Sequence, residues 1–272
     1  MRCLLASLSA GLFLVTASIA AAALPAPSTA KAGSIQGWVV NGAGQPLAGA
    51  TVHVYGTTMA GANSRFEIKT GADGKYRRRL PDGIYGARAE HVFQQGGKNY
   101  TLALAPTDGT TSIVHDSEEG IAKDFVWRIS GLKPGNTAGE PGTHNEPFKY
   151  YGGSLQVSVA DIPSGLQPLP EGSTLIAELT PNGPLFDGSA SKPLSFRRTF
   201  SAAVRSSGLW YPSDIPLGRY TLRFRLEQPG AAPRALEAQK SLGNEPYAAT
   251  VALDVIPDAS GSVLPIQIRV KP

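Results

Sequence analysis

Four histidines, His53, His91, His115 and His144, are all the imidazole this chain offers for proton transfer or metal binding. No two of them stand at the spacing of a preformed metal site such as H-x-H or H-E-x-x-H. The densest cluster of titratable groups is "SIVHDSEEG", which gathers His115, Asp116, Glu118 and Glu119. Oxygen ligands in that number suit a calcium ion, and a histidine beside a carboxylate suits acid–base work. The alternating acidic spacing of a dedicated calcium loop is missing, so the stretch reads as a solvated acidic connection between strands. The single cysteine, Cys3, lies in the apolar leader described below, which leaves the rest of the chain without a thiol for a disulfide, a metal or a nucleophile. No catalytic residue, no metal ligand and no cofactor is expected.

Two other groupings suit binding. In "GRYTLRFRL", Tyr220, Leu222, Phe224 and Leu226 alternate with Arg219, Thr221, Arg223 and Arg225. A strand with that alternation buries one face and presents a cationic one, with Arg219, Arg223 and Arg225 as candidate anion contacts. "YRRRL" and "FRRTF" add Arg77, Arg78, Arg79, Arg197 and Arg198. The bland reading is a solvated sheet face that also discourages edge-to-edge aggregation. The aromatic grouping is Trp38 with His53 and Tyr55, each on the strand face opposite its apolar neighbours. If their two strands are neighbours, the three form an exposed platform for stacking on sugar rings, unless the second half of the chain or Phe148, Tyr150 and Tyr151 cover it.

The elements that must position these groups are strands. The chain has 272 residues, 31 Gly, 22 Pro, 17% charged and 42% apolar residues, and a net charge of +4. That apolar content suffices for a core, so the Gly and Pro punctuate short strands and do not signal disorder. The order at the start, Arg2, an apolar run from about Leu4 to Ala20, then small residues, is that of a secretory signal peptide over residues 1–23. A secreted or periplasmic protein without stable membrane insertion after cleavage is expected. Beyond residue 31, period-2 alternation dominates, with strands expected at Arg65–Lys69, Lys75–Leu80, Ile84–Val92, Tyr100–Leu104 and Lys123–Ile129. Turn signals such as "NGAGQP", "GADG" and "PDG" lie between them.

A blurred copy follows. "SIQGWVVNGAGQPLAGATVHV" aligns with "SLQVSVADIPSGLQPLPEGSTLIAEL", matching Ser34, Ile35 and Gln36 to Ser154, Leu155 and Gln156, and Gly49 and Thr51 to Gly172 and Thr174. Further on, Tyr76 matches Trp210, and Pro81, Gly83 and Tyr85 match Pro216, Gly218 and Tyr220. Order is kept throughout, as in a duplicated unit whose second copy carries a longer insertion in "PNGPLFDGSASKPLSFRRTFSAAVRS". The expected fold is all-β, two tandem antiparallel sandwiches over residues 32–133 and 150–272, joined by a Gly/Pro-rich linker at 134–149.

The first copy resembles the carboxypeptidase regulatory-like domain, a transthyretin-related (prealbumin-like) sandwich of exported bacterial proteins with a carbohydrate-binding-like fold. The resemblance is carried by Gly37, Val39, Gly44, Pro46, Leu47, Gly49, Ala50, Val52, Asp73, Gly74, Tyr76, Leu80, Pro81, Gly83 and Tyr85. It implies an accessory or binding module without chemistry of its own. The residues thus support an exported, non-catalytic module of the cell envelope that binds polysaccharide or an envelope protein, with no nucleic acid partner. The alternatives are a scaffolding protein acting through protein contacts, and a small hydrolase built around His115.

Overall fold

The computed structural model describes residues 23–95, 97–110, 114–137, 148–159, 169–200, 209–241, 245–258 and 263–271. These residues form strands and their connections, with no helix among them. The expected signal peptide lies almost wholly outside them, as do His144, most of the linker and residues 201–206 at the end of the insertion.

The first half contributes β1 (Ser34–Asn41), β2 (Thr51–Thr58), β3 (Asn63–Lys69), β4 (Lys75–Arg79), β5 (Gly83–Gln95), β6 (Lys98–Ala103), β7 (Ala105–Pro106), β8 (His115–Asp116), β9 (Ile121–Ala122) and β10 (Phe125–Trp127). One sheet runs β4-β1-β10-β7 with β9 beside β1; the other runs β3-β2-β5-β6 with β8 beside β5. The second half contributes β11 (Gly153–Val159), β12 (Thr174–Pro181), β13 (Leu194–Thr199), β14 (Ser213–Ile215), β15 (Gly218–Glu227), β16 (Arg234–Lys240), β17 (Val251–Val255) and β18 (Ile266–Lys271). Its strands follow one path, β13-β12-β15-β16-β18-β11-β14, because β16 changes partner midway. Arg234–Leu236 pair with β15, and Glu237–Lys240 pair with β18.

The two halves have the same topology. β1 pairs antiparallel with β4 and parallel with β10; β11 pairs antiparallel with β14 and parallel with β18. β2 lies between β3 and β5, and β12 between β13 and β15, all antiparallel. β5 takes β6 and β8 on its other edge, as β15 takes β16 and β17. The repeat read from sequence matches to the residue: Gly37 stands opposite Tyr76, and Val157 opposite Trp210. Gly49 and Gly172 lead into β2 and β12 at φ 72° and 78°, a region that costs an L side chain about 1 kcal/mol or more. The copies differ in length. Thr51 pairs with Glu90 and Thr174 with Glu227, so the stretch from the tyrosine to the residue opposite that threonine is two residues longer in β15 than in β5, an even number that keeps every side chain on its face.

Alternation decides what is buried. Tyr85, Ala87 and Ala89 on β5 and Tyr220, Leu222, Phe224 and Leu226 on β15 point inward and are all nearly inaccessible. Each such large side chain contributes about 2 kcal/mol of burial free energy. Buried apolar residues form one cluster from Ile35 and Val52 in the first sandwich to Phe224 and Val270 in the second.

The halves meet at an extensive junction. Leu132 and Tyr150 form an antiparallel bridge, Lys133 N–H donates to the Lys149 carbonyl at 2.8 Å, and Tyr151 N–H to the Gly131 carbonyl at 2.9 Å. The Gly/Pro-rich segment therefore leaves and returns at one place and does not space the halves apart. Leu217 N–H donates to the Ile129 carbonyl at 3.1 Å, and Asp214 Oδ1 accepts from Gly131 N–H at 2.7 Å. The insertion after β12 also docks here: Phe186 lies 5.8 Å from Phe93, ring to ring, and Asn41 Nδ2 donates to the Asp187 carbonyl at 3.4 Å.

Candidate functional site

The three aromatic candidates do not form one platform. β1 and β2 follow each other in sequence but belong to different sheets, so Trp38 lies on the outer face of one and His53 and Tyr55 on the outer face of the other. Trp38 is also buried, 6% exposed, in a small apolar cluster with Val40, Ala105 and Val126, against which Tyr151 packs. Its indole N–H donates to the Ala26 carbonyl at 2.9 Å, because the chain before β1 crosses this face. Sequence alternation fixed which side of its strand Trp38 occupies but not which strand lies next to it.

His53 and Tyr55 remain together on the outer face of β3-β2-β5. Strand register places Tyr55 between Arg65 and Gly86, and His53 between Glu67 and Arg88. The lack of a Cβ at Gly86 makes room for the Tyr55 ring: one built there would stand 3.0–3.1 Å from its Cε2, Cζ and Oη atoms. The ring thus rests on backbone with one side toward solvent, partly exposed, among the exposed Arg65, Glu67 and Arg88. His53 is held from both sides, Nδ1 at 3.4 Å from Glu67 Oε1 and Nε2 at 3.2 Å from Glu90 Oε1. Exposed Ile84 and Val92 extend the apolar part of this face along β5. Sequence reading overlooked Gly86; its signal was a lone glycine inside an otherwise strand-like run.

Most arginines on the cationic face of the second sandwich are paired with carboxylates. Arg225 donates to Glu178 Oε1 through both Nε and Nη2, at 3.0 and 2.7 Å. Arg219 stands 3.5 Å from Asp254 and Arg197 2.5 Å from Glu227. Arg223 is exposed opposite Glu178, which Arg225 already holds. These cross-strand pairs cover Ile176, which is fully buried although it sits on the polar face. Elsewhere Arg78 lies 4.3 Å above the Phe66 ring, closing the gap between the two sheets at the β3–β4 side. Arg198 donates to the Leu209 carbonyl and covers Phe200.

The histidine–carboxylate stretch is also dispersed. His115 Nε2 is buried, whereas Asp116, Glu118 and Glu119 are exposed, and Asp116 Oδ1 accepts from Glu118 N–H at 2.8 Å in a tight turn. No group of three or more His, Cys, Asp or Glu able to hold a metal ion occurs among the described residues. No described helix is long and apolar enough to cross a membrane.

A concavity lies on the face that holds Trp38. It has a volume of about 640 Å³ and runs between the segment Pro25–Thr29 and the outer surface of β1 and β4, with Gln36, Trp38, Lys75 and Arg77 in its walls. Asp124, 6% exposed, anchors the segment: its carboxylate accepts from Ser28 N–H at 2.7 Å, Ser28 Oγ at 2.6 Å and Trp38 N–H at 2.9 Å. Gln36 Nε2 donates to the Thr29 carbonyl at 2.6 Å. Beneath, the Tyr76 hydroxyl donates to the Lys123 carbonyl at 2.5 Å, and burial, reinforced by Asp124, holds that phenol well above its usual pKa.

No family model matches the chain, so the carboxypeptidase regulatory-like resemblance finds no support there. No curated protein matches it either. Among solved structures it is similar to the Bacillus anthracis TIE protein, with 12% identity, a TM-score of 0.37, and 88% of this chain and 34% of that one covered. It thus spans about a third of that protein's length. A DUF3823 family protein from Bacteroides ovatus aligns over 82% of this chain and 99% of its own, at 7% identity and a TM-score of 0.23. A streptococcal ancillary pilin aligns over 86% of this chain and 61% of its own, at 11% identity and a TM-score of 0.24.

Proposed function

We propose that this protein is an exported, non-catalytic accessory module of the cell envelope that binds a carbohydrate through the outer face of β3-β2-β5. The observation that carries this reading is Tyr55, an aromatic ring supported from below by Gly86, partly open above, and ringed by Arg65, Glu67, Arg88 and His53. A sugar ring stacks its apolar face on such a phenol while its hydroxyls meet the surrounding charged groups. The leader supports export, since an apolar run behind Arg2 ends in small residues. Trp38, Arg219 and Arg225 drop out of the proposed site, being buried or paired, and Arg223 stays outside it on the other sandwich.

The test is binding of the purified protein to neutral and acidic polysaccharides, including cell-wall material, at low and high salt. Stacking predicts saturable, salt-resistant binding that Tyr55→Ala weakens at least about tenfold and Tyr55→Phe preserves. Equal binding by wild type and Tyr55→Ala, or none by either, refutes it.

A further inference from the structure

The outer face of β1 and β4 carries a groove along which the chain lays its own segment Pro25–Thr29. Every specific contact is of a kind that recognises an extended, proline-bearing strand. The Trp38 indole N–H takes the carbonyl of Ala26, the residue between two prolines. Asp124 takes both donors of Ser28, and Gln36 takes the carbonyl of Thr29. Prolines hold the segment extended before it binds, and an aromatic side chain that donates to a carbonyl beside proline is an established way of reading such segments. The receptor half is built into the fold: Trp38 and Asp124 are buried and joined to each other by the Trp38 N–H bond. The ligand half is not. Residues 23–27 and 29–30 are exposed, and only Ser28 is partly buried. The segment ends at a tight turn where Ser34 N–H donates to the Lys31 carbonyl at 3.1 Å across Gly33, whose φ is 65° and whose N–H donates to the Ser117 carbonyl at 2.8 Å, so the arm before Lys31 is the part free to exchange.

From these contacts we propose that the groove accepts the same segment from a second copy of this chain, so that copies join by exchanging arms. This goes beyond the Tyr55 reading and does not depend on it. A second copy carries the very segment whose fit to this groove the contacts of Ala26, Ser28 and Thr29 show. Within one molecule the tethered arm competes at a millimolar effective concentration, so the exchange shows only when the cis arm is weakened or copies are crowded.

Ser28→Pro removes both donors to Asp124 while keeping the arm extended, leaving a good groove and a poor arm. Asp124→Asn leaves a poor groove and a good arm. Each full-length variant alone is expected to run as a monomer in light-scattering chromatography at about 100 µM, and an equimolar mixture to run as a one-to-one pair. A synthetic peptide, ALPAPSTA, is expected to bind the Ser28→Pro protein saturably, and the peptide with proline in place of its serine at least about tenfold less tightly. On binding, the Trp38 indole N–H signal in the NMR spectrum, assigned with Trp38→Phe, returns to its wild-type position. Circular dichroism establishes that both variants are folded. If the peptide binds but folded variants do not pair, arm exchange is overturned. If the peptide does not bind either, the groove is overturned as well, and the arm is only a structural tie.

Discussion

Asp214 is the one described residue other than glycine with a positive φ, at 60°, and its place at the junction makes the penalty for altering it calculable. Its carboxylate accepts from Gly131 N–H at 2.7 Å and from Gly152 N–H, the residues that flank the Gly/Pro-rich segment. Asp214→Ala leaves two N–H groups without an acceptor, at about 1–3 kcal/mol each, and forces alanine into a left-handed conformation for about 1 kcal/mol more. The expected loss is about 3–7 kcal/mol. Asp214→Gly loses the same acceptors but not the conformational term, so it should lie about 1 kcal/mol above alanine. Asp214→Asn keeps an oxygen and tolerates this φ, and should stay within about 1 kcal/mol of wild type. The Asn variant also carries a pH signature. Burial raises the Asp214 pKa above the ordinary 3.8 despite the two backbone hydrogen bonds. A raised folded-state value means that stability is fully present below the unfolded-state pKa and is lost as pH rises through the folded one. Asp214→Asn, which does not ionise, should therefore gain on wild type as pH rises from about 3 to 6. Urea denaturation of all four proteins across that range reads both effects. Alanine and asparagine variants of equal stability, or an Asn-minus-wild-type difference flat with pH, would refute the reasoning.

Lys123 is 2% exposed and bonded to Asp108 at 2.8 and 3.0 Å, so Asp108→Ala leaves a buried ammonium with the Thr110 oxygens but no counter-charge and should cost about 3 kcal/mol, more than Lys123→Met does. Partial burial pushes the Asp108 carboxyl up, but hydrogen bonds from Lys123 and Thr110 bring it below its ordinary value. Wild type should hold this contribution above about pH 4 and lose it on further acidification, a loss that acid titration will find missing in Asp108→Ala. The two equivalent tyrosines should part company in thermal unfolding. Tyr85 Oη is buried without a hydrogen-bond partner among the described residues, so Tyr85→Phe should be neutral or stabilising; Tyr220 donates to the Pro216 carbonyl at 2.8 Å, so Tyr220→Phe should cost about 1 kcal/mol. Burial pushes the Tyr220 hydroxyl up to about 12, which ultraviolet titration of wild type against Tyr220→Phe will detect.

The duplicated architecture was legible because turns and alternation are local. Gly83 and Tyr85, like Gly218 and Tyr220, announce the start of a strand and its first inward ring, and β5 and β15 begin there. Strand ends were less sharp: Lys123–Ile129 resolves into Phe125–Trp127, because the chain crosses from β9 to β10 through Lys123 and Asp124, each held by its own polar contacts. The site was legible only in part. Alternation put Trp38, His53 and Tyr55 on the polar sides of their strands, but sheet membership depends on long-range pairing that no local pattern encodes. The arginine row was visible, whereas its neutralisation by Glu178, Glu227 and Asp254 rests on partners 30 to 47 residues away. Nor did the sequence mark Pro25–Thr29 as a ligand, since its recognition depends on Asp124, 96 residues from Ser28.

Each sandwich is closed by a parallel seam between its first and last strands, β1 with β10 and β11 with β18. Parallel neighbours enter and leave at opposite ends, so tension along the chain drags the two strands past each other lengthwise. The hydrogen bonds of the seam are then loaded together in shear instead of being peeled open one after another. The rate at which the protein yields under pull is set by the barrier to that concerted rupture. A pull on the two ends would load the two seams in series along one polypeptide.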